Sequence, residues 1–284
     1  MKKIIRFILI IILILTLILI YSRFGGTRGL ITKEYKIETN NIDEKFDGLK
    51  IIHFSDLHYI RRINKDELSK VIEEINLIKP DIVFFTGDLI DKDYKINDKE
   101  KEELINLLNN ITSKYGKYSI LGNHDYKKDI KLLEEIYTSS NFKLLQNNYD
   151  IIYEDNNNKL FIGGTDTYSF NKQDIDKIME YFNNNEDISY KIILTHEPDY
   201  IDEITSKYNV DLVLSGHSHN GQINIPYIKN IFLPYGSKKY FNNYYKVKNT
   251  DLYISSGLGE SRINLRLFNK PSINFYRINK ITEN

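Results

Sequence analysis

Five times along this chain, a short apolar run ends directly in a knot of Asp, His, Asn and Gly. The five segments are Asp56-Leu57-His58, Gly87-Asp88-Leu89-Ile90-Asp91, Gly122-Asn123-His124-Asp125, Thr195-His196-Glu197-Pro198 and Gly216-His217-Ser218-His219. The runs that precede them, Leu49–Ser55, Asp81–Thr86, Lys117–Leu121, Lys191–Thr195 and Asp211–Leu214, read as buried strands. Helical spacing separates the first of them. Lys65–Ile78 carries Leu68, Val71, Ile72, Ile75 and Ile78 on one face and meets Pro80 as a stop, and Lys99–Ser113 turns Leu104, Ile105, Leu107, Leu108 and Ile111 inward. Strand–helix–strand repetition implies an α/β fold of parallel strands under covering helices, with polar sites in the loops beyond the strands' carboxyl ends.

The rest of the pattern continues the alternation. Helices are predicted over Lys128–Ser139, Asp174–Phe182 and Tyr200–Lys207, and short strands near Phe142–Leu145, Ile151–Tyr153 and Leu160–Gly163. The C-terminal third turns β-rich, with Leu252–Ser255 and Ser272–Ile278 its clearest strands. No repeat of domain-building length is evident, and the runs Asn156-Asn157-Asn158 and Asn183-Asn184-Asn185 read as turns.

Ahead of this region stands a different kind of segment. Lys2, Lys3 and Arg6 precede a run from Phe7 to Tyr21 that is apolar except for Thr16. Counted from Ile4 it has 18 residues, and at about 1.5 Å per residue it is just long enough to span a hydrocarbon core. A basic head followed by an apolar run also describes an export signal, but Ser22–Arg28 offers no small-residue cleavage site. The reading adopted is an uncleaved signal-anchor over 1–31, ahead of a catalytic domain over 32–284; a cleaved signal or a buried core helix are the alternatives. Basic residues on the two flanks nearly balance, so the likeness to an export signal decides the orientation. It gives a single-pass protein of the cell membrane with its catalytic domain on the extracytoplasmic side.

Composition narrows the chemistry. The 39 basic and 39 acidic side chains cancel, which argues against a nucleic-acid partner, and the absence of cysteine excludes thiolate ligands, thiol nucleophiles and disulfides. Five of the six histidines fall inside the strand-end segments. The sixth, His53, sits within an apolar strand and reads as a satisfied core residue. Carboxylate and imidazole suit Mn, Fe and Zn, and an asparagine adds a neutral oxygen. In Asp-x-His and His-x-His the two side chains leave an extended chain on one side, so each pair can converge on one point. Each motif alone is weak, and the ordered set is strong.

The order Asp-x-His, Gly-Asp-x-x-Asp, Gly-Asn-His-Asp, His, Gly-His-x-His resembles the calcineurin-like metallophosphoesterase superfamily. The stretch Ser215-Gly216-His217-Ser218-His219-Asn220-Gly221-Gln222-Ile223, together with the N-terminal apolar segment, is similar to a bacterial membrane-anchored branch of it. The likeness runs from about Lys50 to the C-terminus. It implies a four-layer αββα sandwich of two mixed β-sheets flanked by helices, preceded by one hydrophobic helix. It also implies two divalent transition-metal ions (Mn, Fe or Zn), one held by Asp56, His58 and His219, the other by Asn123, His196 and His217, with Asp88 bridging. His124 would stand over the phosphoryl group as the acid, and Asp91 would hydrogen-bond its far nitrogen. Such a pair of ions, roughly 3.5–4 Å apart, lowers the pKa of a shared water for attack on phosphorus.

The expected substrate is a phosphodiester or pyrophosphate, on a lipid-linked or membrane-proximal molecule because the enzyme is tethered there. A phosphomonoesterase or nucleotidase acting on soluble phosphorylated molecules is the alternative within the class, and a non-catalytic binding scaffold the alternative outside it. Arg61, Arg62, Asn220 and Gln222 are candidate substrate contacts, and Arg262 and Arg266 follow the glycine-containing stretch Ser256–Gly259 in a position to face the pocket. Tyr235, Tyr240, Phe241, Tyr244 and Tyr245 form an aromatic insert that either covers the site or packs ordinarily.

Overall fold

The computed structural model describes residues 1–60, 63–154, 158–170, 172–183, 188, 190–225, 233–261 and 263–281. An N-terminal helix α1 (Lys2–Ile20) runs into a π-helical turn at Tyr21–Gly25. The first half of the remaining chain contributes β1 (Ile31–Thr39), β2 (Leu49–Phe54), α2 (Lys65–Ile78), β3 (Ile82–Phe85), α3 (Asp98–Asn109), β4 (Gly116–Ser119), α4 (Ile130–Ser139) and β5 (Phe142–Leu144). The second half contributes β6 (Asn148–Tyr153), β7 (Lys159–Gly164), α5 (Ile175–Met179), β8 (Tyr190–Leu194), α6 (Ile201–Lys207), β9 (Leu212–Ser215), β10 (Tyr244–Val247), β11 (Thr250–Ile254) and β12 (Ser272–Lys280).

These strands form two six-stranded mixed sheets, ordered β1-β12-β2-β3-β4-β5 and β10-β11-β9-β8-β7-β6. The apolar strands are continuous because each feeds two cores by alternation. From β2 and β3, Ile52, Phe54, Val83 and Phe85 point under α2, α3 and α4, while Leu49, Ile51, Ile82 and Phe84 point between the sheets. In the second sheet Phe161, Ile193 and Val213 lie beneath α5 and α6, and Leu160, Ile162, Ile192, Leu194, Leu212 and Leu214 meet the first sheet. Three apolar layers therefore separate four layers of secondary structure: the expected αββα sandwich.

Local signals set the helix ends. Asn64 and Glu67 close a capping box on α2, and Asn97 and Glu100 close another on α3. The predicted Lys99–Ser113 helix is shorter than its apolar spacing suggests, ending at Asn109, although Ile111 stays buried in the loop. Strand β1 escapes the sequence reading because its burial is patchy, as expected of an edge strand. Buried His53 bridges strands: its Nδ1 lies 3.2 Å from Tyr276 Oη and its Nε2 2.8 Å from Thr86 Oγ1.

Helix α1 and its π turn form a 24-residue unit, the one helix among the described residues long and apolar enough to cross a membrane. Its side chains are exposed along α1, but its end is docked. Ser22 is buried, and its carbonyl accepts a hydrogen bond from the Arg266 N–H at 2.9 Å. Gly26 lies so close to the same residue that a Cβ there would stand 1.8 Å from the Arg266 carbonyl oxygen, so only glycine fits.

Candidate metal centre

The loops after β2, β3 and β4 face those after β8 and β9 across the edge where the two sheets meet, and every predicted metal ligand lies on one of these loops. Their backbones are unusual. Asp56, His58, Asp88, His217 and His219 all take left-handed φ, between 46° and 65°. Each such non-glycine residue carries about 1–2 kcal/mol of local strain, a cost that persists only where surrounding contacts hold it. Those contacts are visible. Asp125 accepts hydrogen bonds from the N–H groups of Asp88, Leu89 and Gly122, and Asp88 Oδ1 accepts from the N–H of His124. Asp56 Oδ2 accepts from the N–H of His217, which ties the two sheets' loops together. Gly216 packs so tightly here that a Cβ would lie 2.0 Å from Ser55 Oγ.

The side chains converge. His58 Nε2 and His196 Nε2 stand 3.7 and 3.5 Å from the same oxygen of Asp88. His219 Nε2 is 3.2 Å from Asp56 Oδ1, and His196 Nε2 is 3.3 Å from Asn123 Oδ1. The rings of His196 and His217 lie 5.0 Å apart. Oxygen and nitrogen ligands about 2.0–2.2 Å from one ion lie about 3–3.5 Å from each other, so these spacings are close to those of a shared cation.

Unmet hydrogen bonding gives a second test of fit. Asp56 Oδ1, both ring nitrogens of His58, and Nδ1 of His219 and His124 are buried without a hydrogen-bond partner among the described residues. Native interiors rarely leave such atoms unsatisfied, and here five gather at one point. Three overlapping groups of ligand atoms emerge: Asp56 with His58 and His219; Asp56 with Asp88 and His196; and His58 with Asp91 and His124. Two histidines are aimed by backbone. The Thr86 carbonyl accepts from His196 Nδ1–H at 2.6 Å, and the Tyr235 carbonyl accepts from His217 Nε2–H at 2.7 Å. Each bond fixes which nitrogen is left to face inward. The residues present fit divalent cations.

Electrostatics agree with that reading. Burial pushes the carboxyls of Asp56 and Asp88 up, but the surrounding imidazoles outweigh it and hold both well below the usual carboxylate range. Burial likewise opposes a proton on His196, yet the charge of Asp88 raises its pKa well above the ordinary value. The field at this point thus favours positive charge. Burial lowers His58 to about 3, and it also lowers His217 and His124.

A cavity of about 390 Å³ opens onto the cage, lined by Asp88, Asp91, Asn123, His124, His217 and His219, with Lys92, Asp93, Lys127, Pro234 and Ser261 at its sides. Lys92 and Lys127 escape the sequence reading, although adjacency to two of the strand-end segments is a signal that could find them: Lys92 follows Asp91 directly and Lys127 stands two residues after Asp125. Asp91 reaches the site, 4.0 Å from His58 Nδ1. The expected Asp91–His124 hydrogen bond is not made at Nδ1, which has no hydrogen-bond partner among the described residues.

Other expectations divide. Arg266 does not face the pocket. Its guanidinium is fully buried and donates to the carbonyls of Ser256, Asn269, Gly257 and Gly259, because a loop of inward carbonyls needs a donor fork. Asn220 is buried behind the cage and donates to Asn269 Oδ1. Gln222 spends its amide on the neighbouring loop, donating to Ile263 and Leu265 carbonyls and accepting from Ser261 N–H. Arg61, Arg62 and Arg262 lie outside the described residues. Within the aromatic insert, Tyr240 and Tyr245 pack over the second sheet, whereas Tyr235 stays exposed, stacks on Tyr168 and supplies the carbonyl that aims His217.

Comparison with known proteins points one way. The profile of a family described as calcineurin-like phosphoesterase matches residues 49–221. An uncharacterised metallophosphoesterase of Bacillus subtilis, YkuE, is 32% identical over 259 residues, covering 91% of this chain and 88% of its own. A second from the same organism, YkoQ, is 31% identical over 275 residues, covering 92% and 97%. Among solved structures, the sulfate thiohydrolase SoxB of Thermus thermophilus superposes with a TM-score of 0.50 at 12% identity. That alignment covers 82% of this chain and 57% of SoxB, a likeness of fold.

Proposed function

This chain belongs to the calcineurin-like phosphoesterases and is a metal-dependent hydrolase of phosphoric esters, and from that premise we propose that it cleaves phosphodiester or pyrophosphate bonds of a membrane-proximal, lipid-linked substrate. The observation that carries the proposal is the cage itself: buried nitrogens and oxygens without partners, converging from both sheets on Asp88. Asp56, His58 and His219 would hold one cation and Asn123, His196 and His217 the other, with Asp88 available to both. When bound, the two cations supply the charge that acidifies water and neutralises the phosphoryl oxygens.

The chain's own residues do the rest. Lys92 and Lys127 line the cavity that receives the anionic group and favour its approach. His124 lines the cavity and takes the role of passing a proton to the departing oxygen. Asp91 lies within 4.8 Å of that ring and favours its protonated form as negative charge leaves the phosphorus. Water adds to phosphorus as the ester oxygen departs, giving a phosphomonoester and an alcohol, or two phosphates from a pyrophosphate.

The exposed apolar helix supports anchoring of the protein in the cell membrane through residues 1–31, and the likeness of this segment to an export signal is the ground for placing residues 32–284 on the extracytoplasmic side. The test is a panel of bis-p-nitrophenyl phosphate, p-nitrophenyl phosphate and a UDP-linked lipid analogue, offered to the full chain with Mn, Fe or Zn. Diester or pyrophosphate turnover is expected. Turnover of the monoester alone would replace this reading with a phosphomonoesterase.

A further inference from the structure

Beside the metal cage lies a second cavity of about 230 Å³ with a contrasting lining. It shares His217, His219, Pro234 and Ser261 with the polar cavity, so the two adjoin across these side chains. Its far walls are Ile223, Leu233 and Ile263. The polar end of Gln222 is withdrawn from this space by its three hydrogen bonds to residues 261–265. A parallel bridge between Ile223 and Leu267 and the Asn224 N–H bond to the Leu267 carbonyl fasten the two walls to each other. The slot is thus braced by backbone and lined by hydrocarbon.

Its outer wall also receives the N-terminal helix. The loop that carries Ile263 carries Arg266, whose N–H is bonded to Ser22 at the end of that helix and whose carbonyl touches Gly26. Exposed apolar side chains flank this junction in sequence: Phe24 on the helix side, Ile263 and Phe268 on the loop side. A helix of this length ends at the bilayer surface, so the mouth of the slot stands at the same level.

We propose that the slot holds the hydrocarbon chain of an alkyl or isoprenyl phosphate ester while the phosphoryl group occupies the metal cage. The proposal rests on the catalytic reading above and adds the class of leaving or retained group. A polar, soluble substrate would leave this space to water, whereas a chain drawn from the adjoining bilayer exchanges one apolar surrounding for another and arrives with its phosphate beside the cage.

The experiment compares binding of methyl phosphate and octyl phosphate by calorimetry, using the full chain in phosphatidylcholine nanodiscs. Octyl phosphate is expected to bind tighter by about tenfold or more, a modest share of what full burial of its methylenes would give. Ile263→Asp and Ile223→Asp are expected to bring the two affinities together. Leu77→Asp, at an exposed site on α2, keeps the native ratio. A ratio near one in the native chain, or one that is the same in all four proteins because the bilayer alone takes up the chain, overturns the slot. Failure of the catalytic reading shows separately, as absence of hydrolysis in the substrate panel with this affinity ratio intact.

Discussion

Two buried charged regions lie side by side in this molecule and are built on opposite plans. Around Arg266, the chain balances its own charge: four carbonyls take the guanidinium's terminal nitrogens, and although Nε has no hydrogen-bond partner among the described residues, the Glu260 carboxylate lies 3.5 Å from it. Around Asp88, carboxylates and imidazoles face one another at spacings too long for full hydrogen bonding and leave buried nitrogens and oxygens unmatched. Burying charge is tolerable only when it is matched. The first region is matched by the fold and serves the fold. The second is matched by something the fold receives.

The contrast predicts where a substitution is felt. Asp88→Asn should abolish metal binding and turnover together, by more than the roughly 100-fold typical of residues that only orient a ligand, while circular dichroism shows the fold intact. A variant that keeps two metal ions per chain breaks the comparison. His124→Ala should retain both ions by elemental analysis and lose about 10²–10⁴ in kcat; normal turnover would remove it as the proton donor. Arg266→Leu reverses the pattern, destabilising the protein by about 3–5 kcal/mol in a urea titration because its carbonyl partners and Glu260 stay buried. Stability unchanged by that substitution would mean the matched region is not structural after all.

An effect confined to acid pH sharpens the boundary between the two plans. His53 is buried and hydrogen-bonded, and burial lowers its pKa to about 3. The folded chain keeps this ring neutral while the unfolded chain takes a proton near the ordinary histidine value, so the folded form binds fewer protons in between. Its contribution is complete above about pH 6.5 and is lost as pH falls toward 3, at a limiting slope of about 1.4 kcal/mol per pH unit. Comparing His53→Gln with the native chain across that window isolates the effect; identical acid profiles would contradict it.

What the sequence made legible follows from the same physics. All seven predicted ligands stand where apolar strands run out, because a polar knot straight after a buried run has nowhere to go but the sheet edge. The left-handed backbone of five of them, Asp56, His58, Asp88, His217 and His219, carried no sequence signal, since glycine, its usual marker, is absent from those positions. Arg266 misled because a loop arginine reads as a ligand for phosphate, and nothing in sequence announces carbonyls turned inward. The Tyr235 carbonyl reaches His217 across 18 residues of chain, a closure that periodicity does not encode, whereas Lys92 and Lys127 come to the site simply as neighbours of Asp91 and Asp125. The apolar helix was legible by length, but its docking on Arg266 was not, because a single backbone hydrogen bond between residues 22 and 266 leaves no trace in composition.

The strand order of the first sheet carries a consequence for biogenesis. Its last strand to be synthesised, β12, lies between β1 and β2, the first two to emerge. Strand β2 meets β3 early, but β1 has no other neighbour in the sheet and waits for β12 until nearly the whole polypeptide has left the ribosome, so this edge closes last. A chain threaded through a membrane by its N-terminus would therefore travel with β1, the strand that follows the apolar helix, still unpaired.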